Sequence, residues 1–206
     1  MKVLMINGSP HKEGCVYTVL SEIAGQLEKY EIQSQIFHIG MRPIMGCTAC
    51  ATCAKTKMCA YGDDGVNECA SLAWEADGII IGSPVYYAGP NGALCAFLDR
   101  LFYTSGGRLS GKPGAAIVNC RRGGSSAAFD RLNKYFTISD MPVVSSQYWN
   151  TTHGNTPEET RKDIEGMQTA RRLGENMAWL LRSIEEAKDK VCVPDYEQKI
   201  KTSFIR

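Results

Sequence analysis

Apolar and polar residues alternate along this chain in blocks that switch between strand and helix spacing. Residues 2–7 form a β-compatible apolar run ended by Gly8-Ser9-Pro10, which reads as a buried strand. Val16, Val19, Leu20, Ile23, Ala24 and Leu27 then recur at helical spacing over residues 15–30. Ile32 to Ile39 alternates as a second strand, and Val66 to Trp74 reads as a short helix. Gly78-Ile79-Ile80-Ile81-Gly82 is continuously apolar, the pattern of a strand covered on both faces. Leu94, Phe97, Leu98 and Leu101 give a helical stripe. Ala115 to Asn119 reads as strand four, followed by a glycine turn and a helix to about Tyr135, and Met141 to Ser145 is the expected fifth strand. Thr156 as N-cap, Pro157 and Glu159 form a helix start signal. The helix it opens carries Ile164, Met167, Leu173, Met177, Leu181 and Ile184 on its apolar face. Trp74 and Trp179 fall in helical patterns and are expected in the core.

Five strands alternating with helices imply an α/β fold, a parallel sheet with helices on both faces. The 206 residues suffice for one domain with a sizeable core, expected over residues 1–188. Residues 189–206 are charged, lose the periodicity and read as a tail, either loose or packed on a partner subunit.

The net charge of +1 argues against nucleic acid or an anionic membrane as the main partner. No apolar stretch reaches the roughly 20 residues of a membrane helix. The first residues run into a glycine turn rather than a secretory apolar core, so the expected location is the cytoplasm. Nine cysteines in such a chain point to metal or redox use rather than to disulfides.

Three loops follow the carboxyl ends of strands, where open α/β sheets bind ligands. The first, Gly8-Ser9-Pro10-His11-Lys12-Glu13-Gly14, runs into a helix N-terminus that suits a phosphate. Ser9, Thr18 and His11 can add side-chain donors. It has neither the P-loop spacing nor G-x-G-x-x-G, and a plain βα turn is the competing reading. The second, Ser83-Pro84-Val85-Tyr86-Tyr87-Ala88-Gly89-Pro90-Asn91, is a stiff turn against which a flat heterocycle can lie. The alternative is a turn whose tyrosines cover the core. The third, Asn119-Cys120-Arg121-Arg122-Gly123-Gly124, can close over the same crevice. His38, at a strand end, reads as a surface residue. His153 reads as part of a surface turn or of a neighbouring subunit's crevice.

In this order and spacing the chain resembles the NADPH-dependent FMN reductase family, and within it the iron–sulfur flavoprotein branch. Gly8-Ser9-Pro10 with Gly14, Asp63-Asp64, Ala76-Asp77-Gly78-Ile79-Ile80, Ser83-Pro84-Val85-Tyr86 and Phe97-Leu98-Asp99-Arg100 carry the resemblance over about residues 1–185. It implies a flavodoxin-like three-layer sandwich with a five-stranded parallel sheet in order 2-1-3-4-5. It also implies bound FMN, NAD(P)H as co-substrate and a homodimer or homotetramer. The cofactor-binding positions it implies are Ser9, His11, Val16, Tyr17, Thr18, Pro84, Val85, Tyr86, Tyr87, Gly89, Arg122 and Gly123. The family usually has Arg at His11 and a hydroxyl or amide residue at Val16. The grip on phosphate therefore falls to Ser9, Thr18 and backbone N–H groups. The implied activity is hydride transfer from NAD(P)H to flavin and on to an acceptor; a quinone or nitro-compound reductase, its acceptor entering the same crevice, is a second enzyme reading. No catalytic side chain is implied, because the flavin carries the chemistry. A one-electron carrier without a nicotinamide site is the alternative. Small flavodoxins are usually strongly acidic to suit basic partners, which this near-neutral chain is not.

Cys47, Cys50, Cys53 and Cys59 form a C-x-x-C-x-x-C run with a fourth cysteine close behind. Such a loop can supply all four thiolates of a 4Fe-4S cluster, and this compact spacing is what the iron–sulfur flavoprotein branch shows. Zinc is the weaker reading, since structural zinc sites draw their ligand pairs from separated turns. Free thiols are the third.

Overall fold

The computed structural model describes residues 1–194, 196–198, 200–202 and 204. The tail expected over 189–206 therefore falls partly outside the described residues, at 195, 199, 203, 205 and 206.

The chain runs β1 (Lys2–Asn7), α1 (Cys15–Glu28), β2 (Gln33–His38), α2 (Thr52–Thr56), α3 (Val66–Glu75), β3 (Gly78–Tyr86), β4 (Gly89–Pro90), α4 (Gly92–Ser105), β5 (Gly114–Cys120), α5 (Ser125–Ile138), β6 (Thr151–His153), α6 (Pro157–Lys162) and α7 (Ile164–Ala187). The sheet order is β2-β1-β3-β5-β6, with β4 paired only to β3. Counted without β4, the five parallel strands stand in the order 2-1-3-4-5, and the fold is flavodoxin-like.

The two-residue period of a strand sends successive side chains to opposite faces, and both faces are apolar. Leu4, Ile6, Ile79, Ile81, Ala116 and Val118 pack under α3, α4 and α5. Val3, Met5, Ile80, Ala115 and Ile117 pack under α1 and α7. The central strands are thus buried on both sides, which is why they read as unbroken apolar runs.

Three expectations are corrected. Met141 to Ser145 is not a strand: it makes a single bridge, Gly114 to Val143. Pro142 has no N–H for a ladder, and the chain leaves the sheet after Val144 to return at Thr151–His153. The helix opened by Thr156 does not run through. The Thr156 hydroxyl accepts the Glu159 N–H at 3.2 Å and the Glu159 carboxylate accepts the Asn155 N–H at 2.7 Å. Asp163 then leaves the helical region (ψ 82°) and caps α7 by accepting the Gly166 N–H. Trp179 is 70% exposed, because Met177, Ala178 and Leu181 turn the other face of α7 to the core. Trp74, by contrast, is partly buried and donates its indole N–H to the Ser105 hydroxyl at 3.0 Å.

Lys112 closes the C-terminal end of α3. Its ammonium donates to the carbonyls of Ala73 (3.1 Å), Trp74 (2.5 Å) and Ala76 (2.6 Å), groups with no partner inside the helix. Burial pushes its pKa down, opposed by the nearby Asp77 charge. Lys112→Met is expected to cost about 1–3 kcal/mol, a Tm several degrees lower by calorimetry. An unchanged Tm would mean that water replaces the ammonium without loss.

Candidate functional site

The carboxyl ends of β1, β3 and β5 carry three loops that meet at one edge of the sheet. Ser9, His11, Cys15, Val16, Pro84, Val85, Tyr86, Asn119, Cys120, Arg121, Gly154 and Asn155 line one cleft there. All three loops read from the sequence thus contribute to it, and the turn after β6 adds a fourth wall.

The first loop is held in place by short polar contacts. Asn7 Nδ2 donates to the Lys12 carbonyl at 3.0 Å, and Asn7 Oδ1 accepts the Ser9 N–H at 3.0 Å. The Ser9 hydroxyl oxygen accepts the His11 N–H at 3.1 Å. His38 is part of this frame rather than a plain surface residue: its Nε2 lies 2.8 Å from the Ser9 carbonyl. A carbonyl only accepts, so the proton sits on Nε2. At Gly14, the N-cap of α1, no side chain caps the helix. The N–H groups of its first turn are left to face a ligand, at the positive end of the helix dipole. Thr18 does not reach outward: its hydroxyl is buried and donates to the Gly14 carbonyl at 3.2 Å.

The second loop is a hairpin, which its sequence did not announce. β3 and β4 pair antiparallel, Tyr86 against Gly89, and Tyr87 and Ala88 between them both take positive φ (51° and 58°). A two-residue hairpin turn of type I′ demands this, but usually uses Asn or Gly. Here two L side chains bear the strain, a feature that concentrates at functional sites. Tyr86 is half-exposed on the cleft wall, and Tyr87 projects fully into solvent. Asn91 joins the loops. Its N–H donates to the Ser83 hydroxyl at 3.0 Å, its side chain donates to the Gly8 carbonyl at 2.8 Å, and the same side chain caps α4 through the Ala93 N–H.

The third loop touches the second at Gly124, where a Cβ would lie 2.8 Å from Ala88 Cα. Arg121 lines the cleft, while Arg122 and Gly123 are exposed beside it. Tyr17, Thr18, Tyr87 and Gly89 border the same loops without lining the cleft. Cys15 and Cys120 line it, although no motif singled them out. Burial pushes the Cys120 thiol pKa up.

The cysteine loop follows β2 and meets α4, where Arg100 Nε donates to Cys59 Sγ. Cys47, Cys50, Cys53 and Cys59 all line a second cavity, together with Tyr61, Tyr103 and the core-buried Arg100. Among the described residues no three His, Cys, Asp or Glu converge closely enough to hold one metal ion. A four-iron cluster spreads its thiolates over the corners of a cube, and four thiols around one cavity are the donor set it takes. Hydrogen bonds from the Thr52 side chain and N–H hold the Cys50 thiol below its usual pKa, toward the ligating thiolate. Among the described residues, no helix is long and apolar enough to cross a membrane.

Known proteins share the sequence pattern and the fold. The profile of NADPH-dependent FMN reductases matches residues 1–156. An iron–sulfur flavoprotein of Methanocaldococcus jannaschii is 31% identical over 194 residues, covering 90% of this chain and all of that protein. Among solved structures, an archaeal flavodoxin superposes with TM-score 0.61 at 16% identity, over 88% of this chain and 99% of that one. The apo form of an NADH:FMN oxidoreductase superposes with TM-score 0.62 at 18% identity, over 88% and 89%.

Proposed function

The chain belongs to the NADPH-dependent FMN reductase family, flavodoxin-like oxidoreductases that bind FMN, and from that premise we propose that it takes hydride from NADPH or NADH onto FMN held in the cleft and passes the electrons to an acceptor. The observation that carries this reading is the uncapped start of α1 opening into a cleft walled by residues 84–86 and 119–121. The N–H groups of residues 15–17 and the Ser9 hydroxyl hold the phosphate there. Ser9 accepts from His11, so its own proton stays free to donate. Thr18 serves indirectly, by closing the turn. The wall from Pro84 to Tyr86, stiffened by its hairpin, supports a planar ring, and Arg121 meets the negative charge of an incoming nucleotide. Bound FMN supplies the hydride acceptor and the means of releasing electrons singly or in pairs. The chain supplies binding, orientation and exclusion of water.

The cysteine loop adds a second reading. Four cysteines around one cavity support a 4Fe-4S cluster, which Cys47, Cys50, Cys53 and Cys59 would hold and which would supply a one-electron redox centre there. The subunit number expected is two or four.

Two measurements on purified protein test the first reading. FMN titrated by calorimetry is expected to bind one per chain, and Ser9→Ala to weaken it by about 1–2 kcal/mol through loss of a charge-assisted bond. Mixing the anaerobic flavoprotein with NADPH or NADH in a stopped-flow instrument is expected to bleach the flavin absorbance. If neither nucleotide bleaches it while a reduced protein donor does, the chain is a one-electron carrier. Absence of FMN binding at micromolar concentration would refute the reductase and the carrier readings alike.

A further inference from the structure

Arg100 is an arginine in the apolar core: only 1% of it is exposed, although it lies on α4 between Phe97 and Leu101. A buried guanidinium survives only when its donors are met. Every partner lies in the cysteine loop and the segment after it. Nε donates to Cys59 Sγ at 3.2 Å and Nη1 to the Met45 carbonyl at 3.2 Å. Nη2 donates to the Tyr61 carbonyl, and both terminal nitrogens pair with the Asp64 carboxylate. The Tyr61 ring lies 5.9 Å from the guanidinium. Cys59 itself is fixed from the other side, its N–H donating to Asn67 Oδ1 at 2.7 Å and its carbonyl accepting from Asn67 Nδ2 at 2.9 Å. Among the described residues, Cys59 is the loop cysteine whose sulfur receives a guanidinium donor.

The same helix begins at the flavin cleft. Asn91 ties its first turn to Gly8 and Ser83, and Arg100 follows nine residues later, about 13 Å along the axis. One rigid rod therefore connects the cleft wall to the cysteine cavity.

We propose that Arg100 is a positioning residue for the cysteine loop: it anchors Cys59 in place and aims an N–H at its sulfur, which raises the reduction potential of the cluster held there. The proposal rests on the cluster reading above. Negative charge on ligating sulfur grows when a cluster takes up an electron, and a cationic donor on that sulfur favours the reduced form. Lysine cannot reproduce the planar fork: it keeps the charge but loses the simultaneous bonds to Cys59, Tyr61 and Asp64.

The test uses flavin-loaded protein purified without oxygen, wild type against Arg100→Lys, with iron, flavin content, Tm and an EPR-monitored redox titration of the cluster. The expected result is unchanged flavin content and a cluster that is harder to reduce. The reduced-to-oxidised ratio at a given potential should fall about tenfold, a midpoint lower by about 59 mV for one electron. A variant that keeps its flavin and Tm but loses its iron supports the anchoring role. An iron-loaded variant with the wild-type midpoint overturns the proposal alone, as does loss of flavin and fold together, which would make Arg100 an ordinary core residue. Iron-free wild type overturns the cluster reading and the proposal with it. Hydrogen exchange on iron-depleted protein adds an independent arm: amides of residues 59–64 should exchange at least tenfold faster in Arg100→Lys, with those of α7 unchanged. Equal exchange would count against the anchor.

Discussion

Protein prepared without oxygen is expected to carry about four irons and four acid-labile sulfides per chain, and Cys50→Ala to lose nearly all of them. Three independent features of the loop point this way. The first is the ligand set, four cysteines from residues 47–59 around one cavity, chemically suited to iron and sulfide. The second is the backbone. Ala49, Ala51 and Lys57 all take positive φ (53°, 57° and 62°), each costing about 1–2 kcal/mol for an L residue. A largely exposed loop whose only regular element is the five-residue α2 has little packing to offset that cost, whereas thiolate–iron bonds fix such a backbone directly. The third is Cys50. Hydrogen bonds from Thr52 lower its thiol pKa, so the thiolate is more available for metal than at a free cysteine. Cys50→Ala removes one corner from the middle of the run, and three thiolates hold a cluster poorly. Iron, sulfide and the broad absorbance beneath the flavin bands are the measurements. One zinc per chain without sulfide would favour the zinc reading. Protein grown anaerobically with ample iron and still carrying no metal would leave free thiols, with the flavin reading untouched.

The parts legible in the sequence are those governed by local rules. The unbroken run Gly78 to Gly82 is a strand covered on both faces, and no other element explains it. The loops after β1, β3 and β5 converge because parallel strands all point their carboxyl ends the same way. What stayed hidden depends on contacts between distant residues. Arg100 lies 41 residues from Cys59 and 36 from Asp64, so its role as the loop's anchor appears only once α4 is folded against the loop. The motif Phe97-Leu98-Asp99-Arg100 marked the position without its partners. The hairpin at Tyr87-Ala88 carries none of the Asn-Gly chemistry that signals such a turn. The break at Asp163 was masked by the stronger start signal at Thr156. The misplaced fifth strand has the same origin. Met141 to Ser145 has the right composition, but Pro142, whose carbonyl accepts the Gly114 N–H, has no N–H to extend the ladder beyond one bridge. The true edge strand is Thr151–His153, three residues that pair with β5 and are too short to show a period in the sequence.

That edge strand sets up the second large effect: Gly154→Ala is expected to destabilise the fold by roughly 2–5 kcal/mol and to weaken FMN binding with it. Gly154 has φ +151°, and a Cβ there would lie 2.5 Å from both the backbone nitrogen and the hydroxyl of Thr160 and 2.8 Å from its Cα. Two of these atoms are backbone, so no rotamer change relieves the clash. The Thr160 N–H and hydroxyl both donate to the Thr156 carbonyl (2.9 and 3.0 Å). Thr160 is also completely buried. Its hydroxyl accepts from Asn119 Nδ2 at 3.4 Å, and the same amide reaches the Thr152 hydroxyl at 3.1 Å. Making room for one methyl group therefore means moving α6 off the sheet or breaking this buried set, and an unpaired buried donor costs about 1–3 kcal/mol by itself. Gly154, Asn155 and Asn119 all line the cleft, so the displacement reaches the ligand as well as the fold. A Tm drop on the order of 5–15 °C follows from the usual scaling for a chain of this size. Gly25→Ala is the matched counterpart. It lies within α1 with open space around its Cβ position, and alanine there should stabilise the helix by about 0.5–1 kcal/mol. If Gly154→Ala melts with the wild type and binds FMN as tightly, the wall formed by the turn after β6 plays no part in holding the cleft.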